Sequence, residues 1–162
     1  MTRTTARDVL WVGLGGAAGS LLRWGVAHVL PSGSAWHWPT LSVNLAGALL
    51  LGFLLEFLTR PGTEGTRART ARLLLGTGLL GGFTTYSTFA QEVWDHVDAG
   101  TSAAALGYTA LSIVGGLLAA AAGIALGAWW RDRRTTPPAA SPEYPAPGAG
   151  QRPGALPDGG RR

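Results

Sequence analysis

Cysteine is absent from the 162 residues, which excludes disulfide staples, thiolate zinc sites and cysteine nucleophiles and says nothing about redox compartment. Lysine is absent too, so all 13 basic residues are arginine. Charge of either sign is scarce: 14% of the chain is charged and 46% hydrophobic, an unusual composition for a soluble protein. Acid is missing from the whole stretch between Asp8 and Glu56. That gap disposes of the GLGGAA stretch at residues 13–18 as a dinucleotide fingerprint, which needs an acidic residue some 20 positions on for the ribose. A pI near 10.6 invites nucleic acid as a partner, but the arginines do not interleave with aromatics on an amphipathic face, and long apolar segments separate them. Nucleic acid is therefore set aside.

What is present is apolar length. Residues 9–30, 41–58, 73–90 and 103–130 form four segments long enough to span a bilayer. Arg3 and Arg7 precede the first, yet it is too long for a signal-peptide core and Arg23 interrupts it. Residues 31–39, with two prolines and the pair Trp36 and Trp38, suit a short loop with interfacial tryptophans. Residues 60–72 read as an arginine-bearing loop, and 91–102 as a polar, acidic connection. Beyond Trp130 the composition turns to proline, glycine and arginine without an apolar period. Such a segment cannot bury enough to offset its ordering entropy. The expected organisation is a four-helix transmembrane domain over residues 1–130 and a disordered tail over 131–162, with Arg131, Arg133 and Arg134 resting on anionic headgroups.

Pairs of glycines four residues apart (Gly15 and Gly19, Gly78 and Gly82, Gly123 and Gly127) are expected to let helix backbones approach closely within lipid. The three histidines, His28, His37 and His96, show no metal-ligand spacing and no carboxylate companions. No Ser, His and Asp set suggests catalysis either. Arg23 lies within a span, where a guanidinium must reach water, an anion or carbonyl partners. It stands some seven residues from the loop, about 10 Å along a helix, so snorkelling also accounts for it. The third segment holds Gly81, Gly82, Thr84, Thr85, Ser87 and Thr88 at membrane depth. A lipid-facing helix gains nothing from them. A helix broken at Gly81 and Gly82 would free carbonyls that suit a small hard cation. The hydroxyls of Ser87 and Thr88, the amide of Asn44 and the ring edges of Tyr86 and Phe89 are donors toward an anion. The alternative is that these hydroxyls bond back to their own helix and the aromatics only pack.

Four motifs, in order, resemble the CrcB or Fluc fluoride channels of bacteria: GGAAGSLLRW at 15–24, PTLSVNLAGALLLG at 39–52, GLLGGFTTYSTFAQE at 78–92, and the pair Tyr108 and Ser112. The resemblance covers residues 9 to about 130. It implies an all-α membrane protein of four transmembrane helices with a break in the third, assembled as an antiparallel dimer with two fluoride pathways and a structural Na+ at its centre. By the same resemblance, backbone carbonyls of Gly81 and Thr84 hold the sodium. The fluoride pathway maps to Thr40, Asn44, Tyr86, Ser87, Thr88, Phe89, Tyr108 and Ser112, and Arg23 matches the first-helix arginine. The chain departs from the pattern at Tyr86, where phenylalanine is usual, and at Gly116 and Ala120, where the polar track would continue through hydroxyls.

The function so implied is passive export of fluoride across the cell membrane, without catalysis. Two other classes compete with it. A small four-helix multidrug exporter would need a membrane-embedded carboxylate for proton coupling, which the first span lacks, and the third option is a structural membrane protein without transport. With four spans, Arg3, Arg7, four arginines of the 60–72 loop and Arg131, Arg133 and Arg134 share one side, nine against none in the other two loops. The positive-inside rule then makes the termini cytoplasmic. So strong a bias raises the option that the antiparallel partner is a related subunit of inverse orientation rather than a second copy of this chain.

Overall fold

The computed structural model describes residues 3–30, 36–58 and 65–134, and all regular elements among the described residues are helical. Helix α1 (Arg3–Val29) and α2 (Trp38–Leu58) are followed by α3 (Thr66–Ala71). That helix runs on through a wide π-helical stretch (Arg72–Leu80) into one last turn, α4 (Gly81–Phe83). The chain is then interrupted, resumes as α5 (Ser87–Asp98), turns at Gly100 and returns as α6 (Ser102–Arg134). Three of these helices, α1, α2 and α6, are long and apolar enough to cross a membrane. The 21 residues of α2 span about 32 Å at 1.5 Å per residue, the thickness of the hydrocarbon core.

Backbones meet where side chains are missing. Helix α2 packs along α6, and α1 packs along the π-helical stretch and α4. A methyl group built on Gly123 would fall on the carbonyl of Leu49, and one on Gly52 on the carbonyl of Ala120. On the other pair, Gly15 and Gly19 of α1 abut the main chain at Leu74 and Leu79, and Gly82 abuts Gly16. The glycine spacing in the sequence therefore does what small residues do in lipid, where dispersion contacts rather than water exclusion hold helices together.

Few side chains are buried: Leu41, Val43, Leu80, Ala105 and Tyr108 are the apolar ones among the described residues. Large apolar side chains face outward instead, including Leu21 at 70%, Leu106 at 73% and Leu117 at 68% exposure. In water that surface would be a heavy cost; against acyl chains it costs nothing. The molecule is a membrane protein. Asp8 pairs with Arg69, and Glu56 with Arg131, at 2.6 Å each. These partly exposed pairs add little stability, but they put the start of α1, the start of α3 and the ends of α2 and α6 at one end of the bundle. The start of α2 and the turn between α5 and α6 lie at the other.

Four boundaries differ from the sequence reading. Residues 91–98, expected as a connection, complete α5, and residues 66–72 of the expected arginine loop are helical. Helix α6 continues to Arg134 rather than ending at Trp130. The third-helix interruption falls after Phe83, with Thr84 extended (φ −79°, ψ 160°), while Gly81 and Gly82 remain helical. Glycine permits a break without causing one, and the cause lies on α2. The remainder of the tail, 135–162, and the loop residues 31–35 and 59–64 lie outside the described residues.

Gly123→Ala is expected to destabilise the bundle by about 2 kcal/mol through overpacking. Gly116→Ala, whose new methyl meets open space, should be neutral or stabilising by up to about 1 kcal/mol through helix propensity. Thermal unfolding in detergent separates the two, and equal effects would contradict the backbone contact at Gly123.

Candidate functional site

Asn44, one and a half turns into α2, reaches across to the interrupted helix and bonds both polar groups of one residue. Its Nδ2 donates to the carbonyl of Thr85 at 3.0 Å, and its Oδ1 accepts from the Thr85 amide at 2.9 Å. The side-chain amide thus replaces a peptide partner, and the chain leaves the helix without stranding either group in the membrane.

The replacement has a consequence upstream. In a continuous helix the amide of Thr85 would bond the carbonyl of Gly81, and the amide of Thr88 that of Thr84. Here Thr85 donates to Asn44, and Thr88 donates to the Thr85 hydroxyl at 3.2 Å. The carbonyls of Gly81 and Thr84 thereby lose their i+4 donors together, and Gly81 lies exposed with open space around it. Hard oxygens without amide partners are the donor set that a small cation takes, so these two residues fit the ion that the resemblance implies.

Around the clasp lie two cavities that share Thr85 as a wall. One, of about 510 Å³, is lined by Asn44, Tyr86, Phe89 and Ser112; the other, of about 350 Å³, by Arg23, Thr40 and Thr88. Asn44 spends one amide proton on Thr85 and keeps the second as a donor. Ser112 carries a buried hydroxyl with no hydrogen-bond partner among the described residues, and such a group in a native fold calls for water or an ion. Thr85 gives its hydroxyl proton to Thr88 at 3.0 Å, so at the 3.3 Å contact with Ser87 it is Ser87 that donates. The Thr88 hydroxyl proton is then left to donate elsewhere. The Thr84 hydroxyl, by contrast, bonds back to Leu80 at 2.9 Å, as Thr does within a helix. Phe89 and Tyr86 rings lie 6.3 Å apart by centroid, and Phe89 and Tyr108 5.5 Å.

Arg23 is half-buried and turned inward: its Nε donates to the carbonyl of Gly82 at 3.3 Å. It therefore sets a permanent positive charge beside the smaller cavity, which simple snorkelling to the loop would not. Tyr86, at 81% exposure, opens the larger cavity to the outside of the single chain.

Two of the expected pathway residues meet a partner that sequence reasoning overlooked. Glu92 accepts from the Thr40 hydroxyl at 2.6 Å and from the Tyr108 hydroxyl at 2.7 Å, and His37 Nδ1 stands 3.6 Å from the same carboxylate. Thr40 and Tyr108 are both buried. Their donors thus face a fixed anion at the end of the bundle opposite Arg69 and Arg131, whereas those of Asn44, Ser112 and Thr88 are not so spent. The signal was available, since Glu92 closes the GLLGGFTTYSTFAQE motif, but reading 91–102 as a connection removed it from the bundle. His37 also gains the carboxylate companion that the histidine spacing did not suggest.

Among the described residues this is an all-helical membrane protein whose interrupted helix is clasped by a side-chain amide, with hydrogen-bond donors beside two cavities. The family is shown by comparison: residues 10–124 match the CrcB-like protein, Camphor Resistance (CrcB) family, and the chain belongs to it. It is similar to the fluoride-specific ion channel FluC of Chloroflexus aurantiacus, 41% identical over 125 residues covering 76% of this chain and 97% of that one. The FluC proteins of Sphingopyxis alaskensis and Bordetella petrii are each 44% identical, over 115 and 118 residues, covering 70% and 73% of this chain and 89% of each relative.

Tyr108→Phe, which deletes one of the two hydroxyl donors to Glu92, should lower stability by about 2 kcal/mol, the scale of a hydrogen bond to a charged group. Glu92→Ala, which strands both Thr40 and Tyr108, should cost more. Thermal unfolding of the purified variants measures both, and unchanged stability in the two would remove Glu92 from the core of the site.

Proposed function

We propose that this chain is the subunit of a fluoride-selective channel through which F⁻ leaves the cytoplasm passively. The observation that carries the reading is the set of unspent donors around the Asn44–Thr85 clasp. It occurs in a chain 41% identical, over nearly the full length of the relative, to a fluoride-specific ion channel. Fluoride is small and strongly hydrated, so a selective path has to replace water with closely spaced donors while keeping each site weak enough to release the ion. One amide, a few hydroxyls and the positive ring edges of Phe89 and Tyr86 meet that requirement, and Arg23 draws the anion toward the smaller cavity. Weakly acidic HF enters from an acidic exterior, dissociates in a neutral cytoplasm, and the trapped anion leaves down the membrane potential. No bond is made or broken by the protein, which is no enzyme.

The assembly belongs to the same proposal. The freed carbonyls of Gly81 and Thr84 are two oxygens; an antiparallel second subunit brings two more, and the four together would hold a structural Na+ at the dimer centre. The exposure of Gly81 and Tyr86 on the single chain supports that surface as the interface. Nine arginines on one side of four spans favour cytoplasmic termini in the plasma membrane. The antiparallel partner is then either another copy inserted the other way or a related subunit of inverse charge bias. The exporter reading loses its candidate carboxylate at Glu56, which is tied to Arg131 at 2.6 Å.

Purified protein reconstituted into liposomes should release fluoride and not chloride when the potential is collapsed by an ionophore. Phe89→Ala should reduce that flux by about tenfold, the scale of one lost contact of about 1.4 kcal/mol, while Tyr86→Phe keeps it. Absence of fluoride efflux would return the chain to a structural role, and efflux of organic cations in its place would make it an exporter.

A further inference from the structure

Where α3 runs on into the π-helical stretch, the outer face carries an open groove of about 370 Å³, lined by Thr66, Arg67, Thr70, Ala71, Leu74 and Leu75. These residues fall into two rows with one helical turn between members, 66, 70 and 74 in one and 67, 71 and 75 in the other, so they share a face. The chemistry of that face changes from end to end. Thr66 and Arg67 are exposed at the start of α3, whereas Leu74 is half-buried and Leu75 38% exposed, roughly 10 Å farther along the axis. Ala71, the smallest side chain of its row, leaves a hollow between the long side chains of Arg67 and Leu75.

The polar end of the groove has donors to spare. Arg69 is engaged by Asp8 and Arg131 by Glu56, at 2.6 Å each, but Arg67 meets no acidic side chain among the described residues. Thr84 turns its hydroxyl back to the carbonyl of Leu80 at 2.9 Å, the usual outlet for threonine inside a helix. Among the described residues the hydroxyls of Thr66 and Thr70 have no such partner. Trp129 and Trp130, 48% and 42% exposed, stand just before Arg131 at this same end of the bundle, and tryptophans so placed mark the boundary between acyl chains and headgroups.

We propose that this groove seats an anionic phospholipid, with its phosphate on Arg67 and the hydroxyls of Thr66 and Thr70 and an acyl chain passing over Ala71 onto Leu74 and Leu75. The order of the lining matches the order of the lipid. A guanidinium fork meets two phosphate oxygens at once, and the arginine excess at this end of the bundle complements an anionic leaflet. Free phosphate would use the polar half of the groove and leave the hollow and the leucines without a role. A lipid held here would tie the start of α3 to the membrane boundary, at the head of the helix that the Asn44 clasp interrupts. The inference rests on the membrane setting of the bundle and does not depend on fluoride transport.

The test is native mass spectrometry of the full-length chain released from detergent, with phosphatidylglycerol and phosphatidylcholine of the same acyl chains titrated in turn. Phosphatidylglycerol should be retained in preference. Arg67→Gln should weaken its binding by about fivefold, the factor that one basic side chain is worth near an anionic surface, and Arg67→Lys should restore most of it. Ala71→Leu, which keeps the charge and fills the hollow, should weaken it as well. Arg7→Gln, a change at the same end of the bundle but outside the groove, should leave it as in the wild-type chain. Equal retention of the two lipids by the wild-type chain, or unaltered binding in Arg67→Gln, would overturn the proposal. Displacement of the lipid by millimolar inorganic phosphate, with Ala71→Leu binding as the wild type does, would overturn it by making this a site for a free anion.

Discussion

A main-chain amide and carbonyl at membrane depth must each find a partner inside the protein, and for Thr85 both partners are the single side chain of Asn44. The rest of the site depends on that exchange. Because Asn44 takes the Thr85 amide, the helix stops at Phe83 and restarts at Ser87. Because it stops there, the carbonyls of Gly81 and Thr84 lose their helical donors, and the hydroxyls of Thr85, Ser87 and Thr88 bond among themselves. One bidentate contact thus frees two carbonyls and gathers three hydroxyls. A regular helix would present neither, since its polar groups would satisfy each other along the axis.

Glycine enables this arrangement by other means than flexibility. Gly15, Gly19 and Gly82 bring α1 into backbone contact with the interrupted segment, and Gly52 and Gly123 do the same for α2 and α6. The close pairing keeps α2, which carries Asn44 and Thr40, in register with α5 and α6, which carry Glu92 and Tyr108. Apolar bulk is then free to face outward. The exposed leucines of α1 and α6 are where lipid or a second subunit would lie, and the small buried core is sufficient in a solvent as apolar as the side chains themselves.

Much of this was legible in the sequence. The four apolar segments, the glycine pairs and the donor residues Asn44, Ser87 and Thr88 follow from length, spacing and the cost of polar groups in lipid, whereas Ser112 is pointed to by the family resemblance alone. The position of the interruption did not follow, because glycine marks where a helix tolerates a break, while the partner that captures Thr85 sits 41 residues away. The same limit hid Glu92, His37 and His96, since their meaning comes from contacts across 52 to 59 residues of chain. A run of Gln, Glu and Asp reads as a solvated connection until the hydroxyls of Thr40 and Tyr108 are seen to face it. The arginine at 23 was ambiguous for a similar reason, as distance to a loop cannot tell whether a side chain turns outward or toward Gly82.

Residue-resolved hydrogen exchange across the interrupted segment tests the role of Asn44 most directly, because the amide of Thr85 has no helical acceptor and relies on that one side chain. In the wild-type chain this amide should be protected. In Asn44→Ala it should exchange faster by about tenfold or more, as the loss of a hydrogen bond worth about 1–1.5 kcal/mol requires, and the Thr88 amide should follow as the hydroxyl network loosens, with α6 unchanged. Equal protection at Thr85 with and without the Asn44 side chain would contradict the account, for the break would then be held by something else.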